Sequence, residues 1–135
     1  DGLRDGTIDC IATDHAPHCQ AEKELEITKA PFGMIGFETA LSMVIMELIQ
    51  RQGFSWLEVI EKMTRSPARI IKEPTGVIER GAVADLTIID PDKKWRLTPS
   101  AIHSRSHNSP FLNKTLTGKC VHVLVDGEVK YPGDA

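Results

Sequence analysis

The segment Thr7-Ile8-Asp9-Cys10-Ile11-Ala12-Thr13-Asp14-His15-Ala16-Pro17-His18 passes from a short apolar run to one carboxylate and two imidazoles within five residues. An apolar run of this length, bounded by Gly6 and Pro17, predicts a buried strand over 7–13 that delivers polar residues at its C-terminal end. In α/β barrels that end of a strand is where active sites lie. An Asp at such a place can ligate a divalent ion through one oxygen and exchange a proton through the other, which suits hydrolysis. The spacing alone leaves a second reading open, in which Asp14 caps a turn and His15 and His18 are exposed loop residues. A catalytic zinc needs about three protein ligands, and Asp-His-x-x-His lacks the partners that make a zinc motif specific.

Downstream, Cys19 to Lys29 is polar and Ala30-Pro31-Phe32-Gly33 breaks any pattern, so a loop of functional length is predicted. Phe37, Ala40, Leu41, Val44, Ile45, Leu48 and Ile49 recur at helical intervals, with Glu38, Ser42, Glu47 and Gln50 on other faces. That pattern predicts an amphipathic helix closed by Gly53, its stripe from Phe37 to Ile49 serving as core. Ser55-Trp56-Leu57-Glu58 has the form of a capping box and opens a second helix through Met63. Ser66-Pro67 supplies a cap and a first-turn proline for a third, through about Lys72.

After Pro74 the texture changes. Ala84 to Asp90 is β-branched and ends at Pro91-Asp92, and Asp126-Gly127 between Cys120–Val125 and Glu128–Tyr131 is a tight-hairpin signature. A boundary is expected near Pro74 to Gly81. His122 alternates with Val121 and Val123 and reads as structural. His103 and His107 are four apart, but Pro99, Pro110 and the serines around them indicate a loop rather than a metal-sharing helix.

Composition bounds the function. The 135 residues are 41% hydrophobic and 26% charged, enough for a core. Net charge is -3 and no basic run tracks a phosphate backbone, so nucleic acid is not an expected partner. No stretch approaches the roughly 18 to 20 apolar residues of a membrane helix, and Asp1 to Asp5 is too polar for a signal peptide, so no membrane partner and a cytoplasmic setting are expected. Cys10, Cys19 and Cys120 are odd in number and widely spaced, and read as reduced. A start at Asp1 rather than methionine suggests a fragment.

Asp14-His15-Ala16-Pro17-His18, Ala30-Pro31-Phe32-Gly33 and Gly36-Phe37-Glu38-Thr39-Ala40 resemble the eighth-strand and following segments of bacterial dihydroorotases, of the amidohydrolase superfamily. Met63 to Arg69, Gly81 to Thr87, Asn108 to Phe111 and Val125 to Gly127 follow in the family's order, so the resemblance covers nearly the whole chain. Gly81 to Leu86 is shared with hydantoinases and allantoinases; His18 and Pro31-Phe32-Gly33 are the sharper dihydroorotase features.

The resemblance implies an α/β fold: residues 1–74 would be the C-terminal end of a TIM-like (β/α)8 metal-dependent hydrolase barrel, and residues 75–135 part of the small β-rich domain. It implies reversible cyclisation of N-carbamoyl-L-aspartate to L-dihydroorotate in pyrimidine biosynthesis, with Asp14 as metal ligand and proton shuttle. His18 would bind substrate through its imidazole, and Phe32 and Gly33 through backbone groups. One or two zinc ions and a homo-oligomer are expected of the full-length protein. No role for His15 follows.

The chain also departs from the family. The His-x-His pair and the middle-strand ligands are absent, and no cationic cluster is visible beside Asp14 and His18 to neutralise a dianionic substrate. The expectation is a C-terminal segment that is inactive alone. Two other readings stay open: a hydantoinase- or allantoinase-type cyclic amidase, and a non-catalytic subunit that associates with aspartate carbamoyltransferase.

Overall fold

A computed structural model of the chain describes residues 1–133. Its elements are α1 (Gly2–Asp5), α2 (Gln20–Lys23), α3 (Ala40–Val44), a π-helical stretch (Ile45–Arg51), α4 (Trp56–Met63) and α5 (Arg65–Ile71), then β1 (Leu86–Arg96), a 3-10 turn (Pro99–Ala101), β2 (Thr115–Val125) and β3 (Glu128–Tyr131). The strands form one sheet in the order β1-β2-β3, antiparallel where β2 meets β3. The architecture is mixed α/β. Two compact units share the chain, one of Asp1–Ala12, Glu47–Asp90 and residues from Cys120 on, the other of Thr13–Met46 and Pro91–Lys119.

In the first unit the capping box forms as the sequence predicts: Glu58 N–H donates to Ser55 Oγ at 3.3 Å and Ser55 N–H to Glu58 Oε2 at 2.7 Å, and α4 runs to Met63. Helix α5 starts earlier than expected, at Arg65 after Thr64. Ser66 is thus inside the first turn and buried, and Pro67 is tolerated because first-turn N–H groups have no intrahelical acceptor. Residues 7–13 form no strand, contrary to expectation. A strand exists only through a ladder, and here Ile11 N–H donates instead to the Lys62 carbonyl at 3.0 Å, while Lys62 Nζ donates to the Ile8 carbonyl at 2.9 Å. The hairpin turn is as predicted. Asp126 and Gly127 take φ of 51 and 77, the two left-handed residues of a type I′ turn, and Asp126 N–H is held by Asp85 Oδ1 at 2.7 Å.

Strand β1 corrects another boundary, since it continues through Pro91 to Arg96. The sheet order puts β1 at an edge, where a residue without an N–H breaks no ladder on its open side.

The second unit carries the main core: Ile35, Leu97, Ile102 and Leu116, with Met43, Met46, Trp95, Phe111 and Leu112 packed against it. The helix expected from Phe37 begins only at Ala40 and widens into π turns at Ile45 before Gly53 closes it, with φ 70 and its N–H on the Ile49 carbonyl at 3.1 Å. Two residues of this segment lie on the opposite side from the one expected. Phe37 is 67% exposed, whereas Ser42, assigned to a polar face, is 1% exposed. The Ser42 hydroxyl donates to the Gly118 carbonyl at 2.6 Å and accepts from Trp95 Nε1 at 3.1 Å, so the buried polar atom is satisfied.

That contact requires Gly118 to sit against the helix. Its φ is +85, and a Cβ there would collide with the Ile45 side chain. Gly118→Ala should therefore lower stability by about 2 kcal/mol or more, whereas Gly53→Ala, left-handed but in open space, should cost only about 1 kcal/mol. Denaturant unfolding of both variants checks this; equal losses would remove the Ile45 contact as the cause.

Candidate active site

The sequence-selected residues Asp14, His18, Phe32 and Gly33 all fall in the second unit, on two irregular segments laid side by side. Ala16 N–H donates to the Met34 carbonyl at 2.9 Å, and Gly36 lies so close to Thr13 that a Cβ would stand 3.1 Å from its carbonyl oxygen. Gly33 is the tightest point of this docking. It has φ +110, and a Cβ on it would meet Ala16 Cβ at 2.5 Å and His18 Nε2 at 3.8 Å. Only a glycine lets the 31–36 backbone approach that closely. The fold thus brings His18 and Gly33 near one another.

His18 is half-buried and its other ring nitrogen, Nδ1, stands 3.8 Å from Glu22 Oε2. Glu22 belongs to α2, a single turn within the stretch expected to be loop, and also accepts from Cys19 N–H at 3.1 Å. Nδ1 is therefore turned toward protein and Nε2 toward Gly33. The Gly33 carbonyl is occupied by Lys23 Nζ at 3.0 Å and Asn108 Nδ2 at 2.8 Å, which leaves its N–H as the group without a partner among the described residues. Phe32 is 93% exposed, so it does not plug the loop. Asp14 is exposed and has φ 47, a left-handed conformation that is uncommon outside glycine although Asp tolerates it better than most.

The second unit also gathers cationic side chains, in a cleft whose lining does not include Asp14, His18, Phe32 or Gly33. A cleft of about 310 Å³ is lined by Lys23, Arg105 and His107 with Gln20, Ser106 and Asn108. Lys23 and Arg105 are far apart in sequence, and only the packing of 103–108 onto 31–35, with Ile35 N–H on the Asn108 carbonyl at 3.0 Å, gathers them.

His15, to which the sequence assigns no role, is heavily engaged. Its Nδ1 accepts from Gly36 N–H at 3.1 Å and Phe37 N–H at 3.4 Å, its ring stacks on Phe37 at 3.9 Å and 4°, and its Nε2 lies 3.5 Å from Ser104 Oγ. This stacking explains why Phe37 is not part of the helix core. Ser104 in turn donates through Oγ to Glu38 Oε1 at 2.6 Å, and the same oxygen accepts from the N–H groups of Ser104 at 2.8 Å and His103 at 3.2 Å. Glu38 Oε2 is buried with no partner among the described residues.

Partial burial pushes the Glu38 carboxyl up, but the Ser104 hydroxyl and N–H, with its own and the His103 N–H, outweigh that and hold it below the ordinary 4.5. Its charged form thus adds stability that is present above that ordinary value and lost as pH falls through the lower folded one. Ser104→Ala should move the Glu38 carboxyl back up, read by NMR titration; an unmoved titration would mean that the hydroxyl is not what lowers it.

Among the described residues no group of three or more His, Cys, Asp or Glu could hold an ion, and Asp14 provides a single carboxylate. A divalent ion on that carboxylate alone would lack the three or so protein ligands that a catalytic zinc needs.

A profile of the amidohydrolase family matches residues 1–130. The chain is 45% identical to the dihydroorotase of Clostridioides difficile over 97% of its own length and 31% of the relative's. It is 46% identical to the dihydroorotase of Pelotomaculum thermopropionicum over 96% of its length and 30% of that relative's. Among solved structures, the L-hydantoinase from Arthrobacter aurescens superposes with a TM-score of 0.87 at 31% identity, covering 99% of this chain and 31% of the other. The D-hydantoinase of Bacillus sp. AR9 superposes with a TM-score of 0.85 at 26% identity, covering 96% and 30%. The chain belongs to the amidohydrolase family, as a segment homologous to about 30% of a dihydroorotase.

Proposed function

We propose that this segment is the C-terminal portion of a catalytic dihydroorotase, the enzyme that interconverts N-carbamoyl-L-aspartate and L-dihydroorotate in pyrimidine biosynthesis. Residues 1–74 are assigned to the end of its TIM-like barrel and residues 75–135 to its small β-rich domain, in a cytoplasmic homo-oligomer. The observation that carries the reading is that segment 31–36 docks on segment 13–18 with His18 Nε2 3.8 Å from where a Cβ of Gly33 would stand, and His18 and Pro31-Phe32-Gly33 are the features in which the chain resembles dihydroorotases more than related cyclic amidases. Identity of 45% to a dihydroorotase against 31% to a hydantoinase favours the same side.

In hydrolysis Asp14 takes a proton from the attacking water as its oxygen bonds to the ring amide carbon, then delivers it to the ring nitrogen as the C–N bond breaks. In the biosynthetic direction the same proton moves in reverse while the ring closes. His18 donates from Nε2 to a substrate oxygen, and the Gly33 N–H, with the Phe32 backbone beside it, supplies a second recognition point. Lys23 and Arg105 offset part of the substrate's double negative charge. One or two zinc ions belong to the full-length protein, with Asp14 as one ligand and the others outside this chain.

The incomplete ligand set makes residues 1–135 silent on their own. In the full-length protein Asp14→Ala should lower kcat about 10²- to 10⁴-fold, and His18→Ala should act mainly on KM. Dihydroorotate hydrolysis by the isolated 135-residue chain with added zinc, or an Asp14→Ala enzyme of normal kcat, would refute the assignment. Full activity on hydantoin or allantoin with none on dihydroorotate would select the other cyclic amidases. A full-length protein inert on every one of these substrates would be the non-catalytic partner of aspartate carbamoyltransferase.

A further inference from the structure

We infer that His15 is a positioning residue whose ring, accepting at Nδ1 and donating from Nε2, fixes the turn carrying Asp14. This role rests on the reading of Asp14 as the proton shuttle, whereas the geometry around His15 is independent of it.

The tautomer follows from the partners. Nδ1 faces two backbone N–H groups, of Gly36 at 3.1 Å and Phe37 at 3.4 Å, and can only accept from them. The ring proton therefore sits on Nε2, which faces Ser104 Oγ at 3.5 Å. The Ser104 hydroxyl hydrogen is committed to Glu38 Oε1 at 2.6 Å, so Oγ has lone pairs to offer toward His15. Every hydrogen in this relay points one way: from His15 Nε2 to Ser104 Oγ, and from Ser104 Oγ to Glu38. Glu38 is itself held by the N–H groups of His103 and Ser104, so the far end of the relay is anchored to backbone.

The ring is pinned in its remaining freedom by stacking on Phe37, nearly parallel at 4° and 3.9 Å. Such a clamp has a purpose one residue upstream. Asp14 sits at φ 47, a conformation that costs on the order of 1 kcal/mol for a residue with a Cβ and persists only where neighbours over-determine it. The peptide that links Asp14 to His15 joins the strained residue to the most heavily restrained side chain of the loop. Holding a proton-transfer group in register matters because a misplacement of about 1 Å can cost about 10²-fold in rate.

The test uses the full-length enzyme with dihydroorotate and four variants. His15→Ala should lower kcat about 10²-fold with KM within about 3-fold of the parent, the signature of lost alignment rather than lost binding. His15→Asn, whose amide oxygen can take the place of Nδ1 as acceptor, should restore most of that loss. On the unaltered protein, selective ¹⁵N-histidine labelling should show His15 as the Nε2–H tautomer, and Ser104→Ala should weaken that signature. A normal kcat in His15→Ala, an Asn variant no better than Ala, or an Nδ1–H tautomer would each overturn the proposal. The tautomer is read without turnover, so it reports on the clamp even if Asp14→Asn were to leave kcat intact, an outcome that would instead sink the reading of Asp14.

Discussion

The second unit depends on one close approach, the backbone of Gly33 against Ala16. A Cβ at Gly33 would stand 2.5 Å from that of Ala16, so segment 31–36 can lie on segment 13–18 only because position 33 lacks one. The placement of the neighbouring groups follows from that contact. It sets His18 Nε2 beside the Gly33 backbone, lets Ala16 N–H reach the Met34 carbonyl, and brings Gly36 and Phe37 N–H within reach of His15. Lys23 and Asn108 then tie down the Gly33 carbonyl from two other segments. The site is built of irregular backbone, and polar side chains supply the partners that a strand ladder would otherwise provide.

What the sequence disclosed was the chemistry that is local. Ser55 and Glu58 are three residues apart and need nothing else to cap a helix; Asp126-Gly127 needs only two left-handed residues to turn a hairpin. Asp14, His18, Phe32 and Gly33 were singled out through family resemblance, and the structure lays the two segments that bear them side by side. What stayed hidden was non-local. His15 looks like an idle loop imidazole until Gly36, 21 positions on, and Ser104, 89 positions on, are folded against it. The same distance in sequence concealed that Lys23 and Arg105 line one cleft, and that Ser42 is buried against a carbonyl 76 residues away.

The misread elements share a cause. Residues 7–13 have the composition of a buried strand, yet a strand needs a partner edge, and none among the described residues supplies one. Pro91 ends a strand by propensity, yet β1 runs through it at the edge of the described sheet, where a ladder is needed on one side only. Ile27, Phe32, Leu57 and Ile78 are strongly exposed apolar residues, on a chain that spans about 31% of the length of the relatives it matches. Local propensity set the right residue classes, and tertiary context decided whether each was paired, buried or left open.

The central claim is that His18 and Gly33 form one side of a substrate site that Asp14 faces. A crystal structure of the full-length protein with dihydroorotate bound tests it most directly. The ligand should accept hydrogen bonds from His18 Nε2 and Gly33 N–H, with the Asp14 carboxylate beside the ring amide. A ligand seated away from both, or an Asp14 side chain turned from the amide while segments 13–18 and 31–36 remain docked, would contradict it.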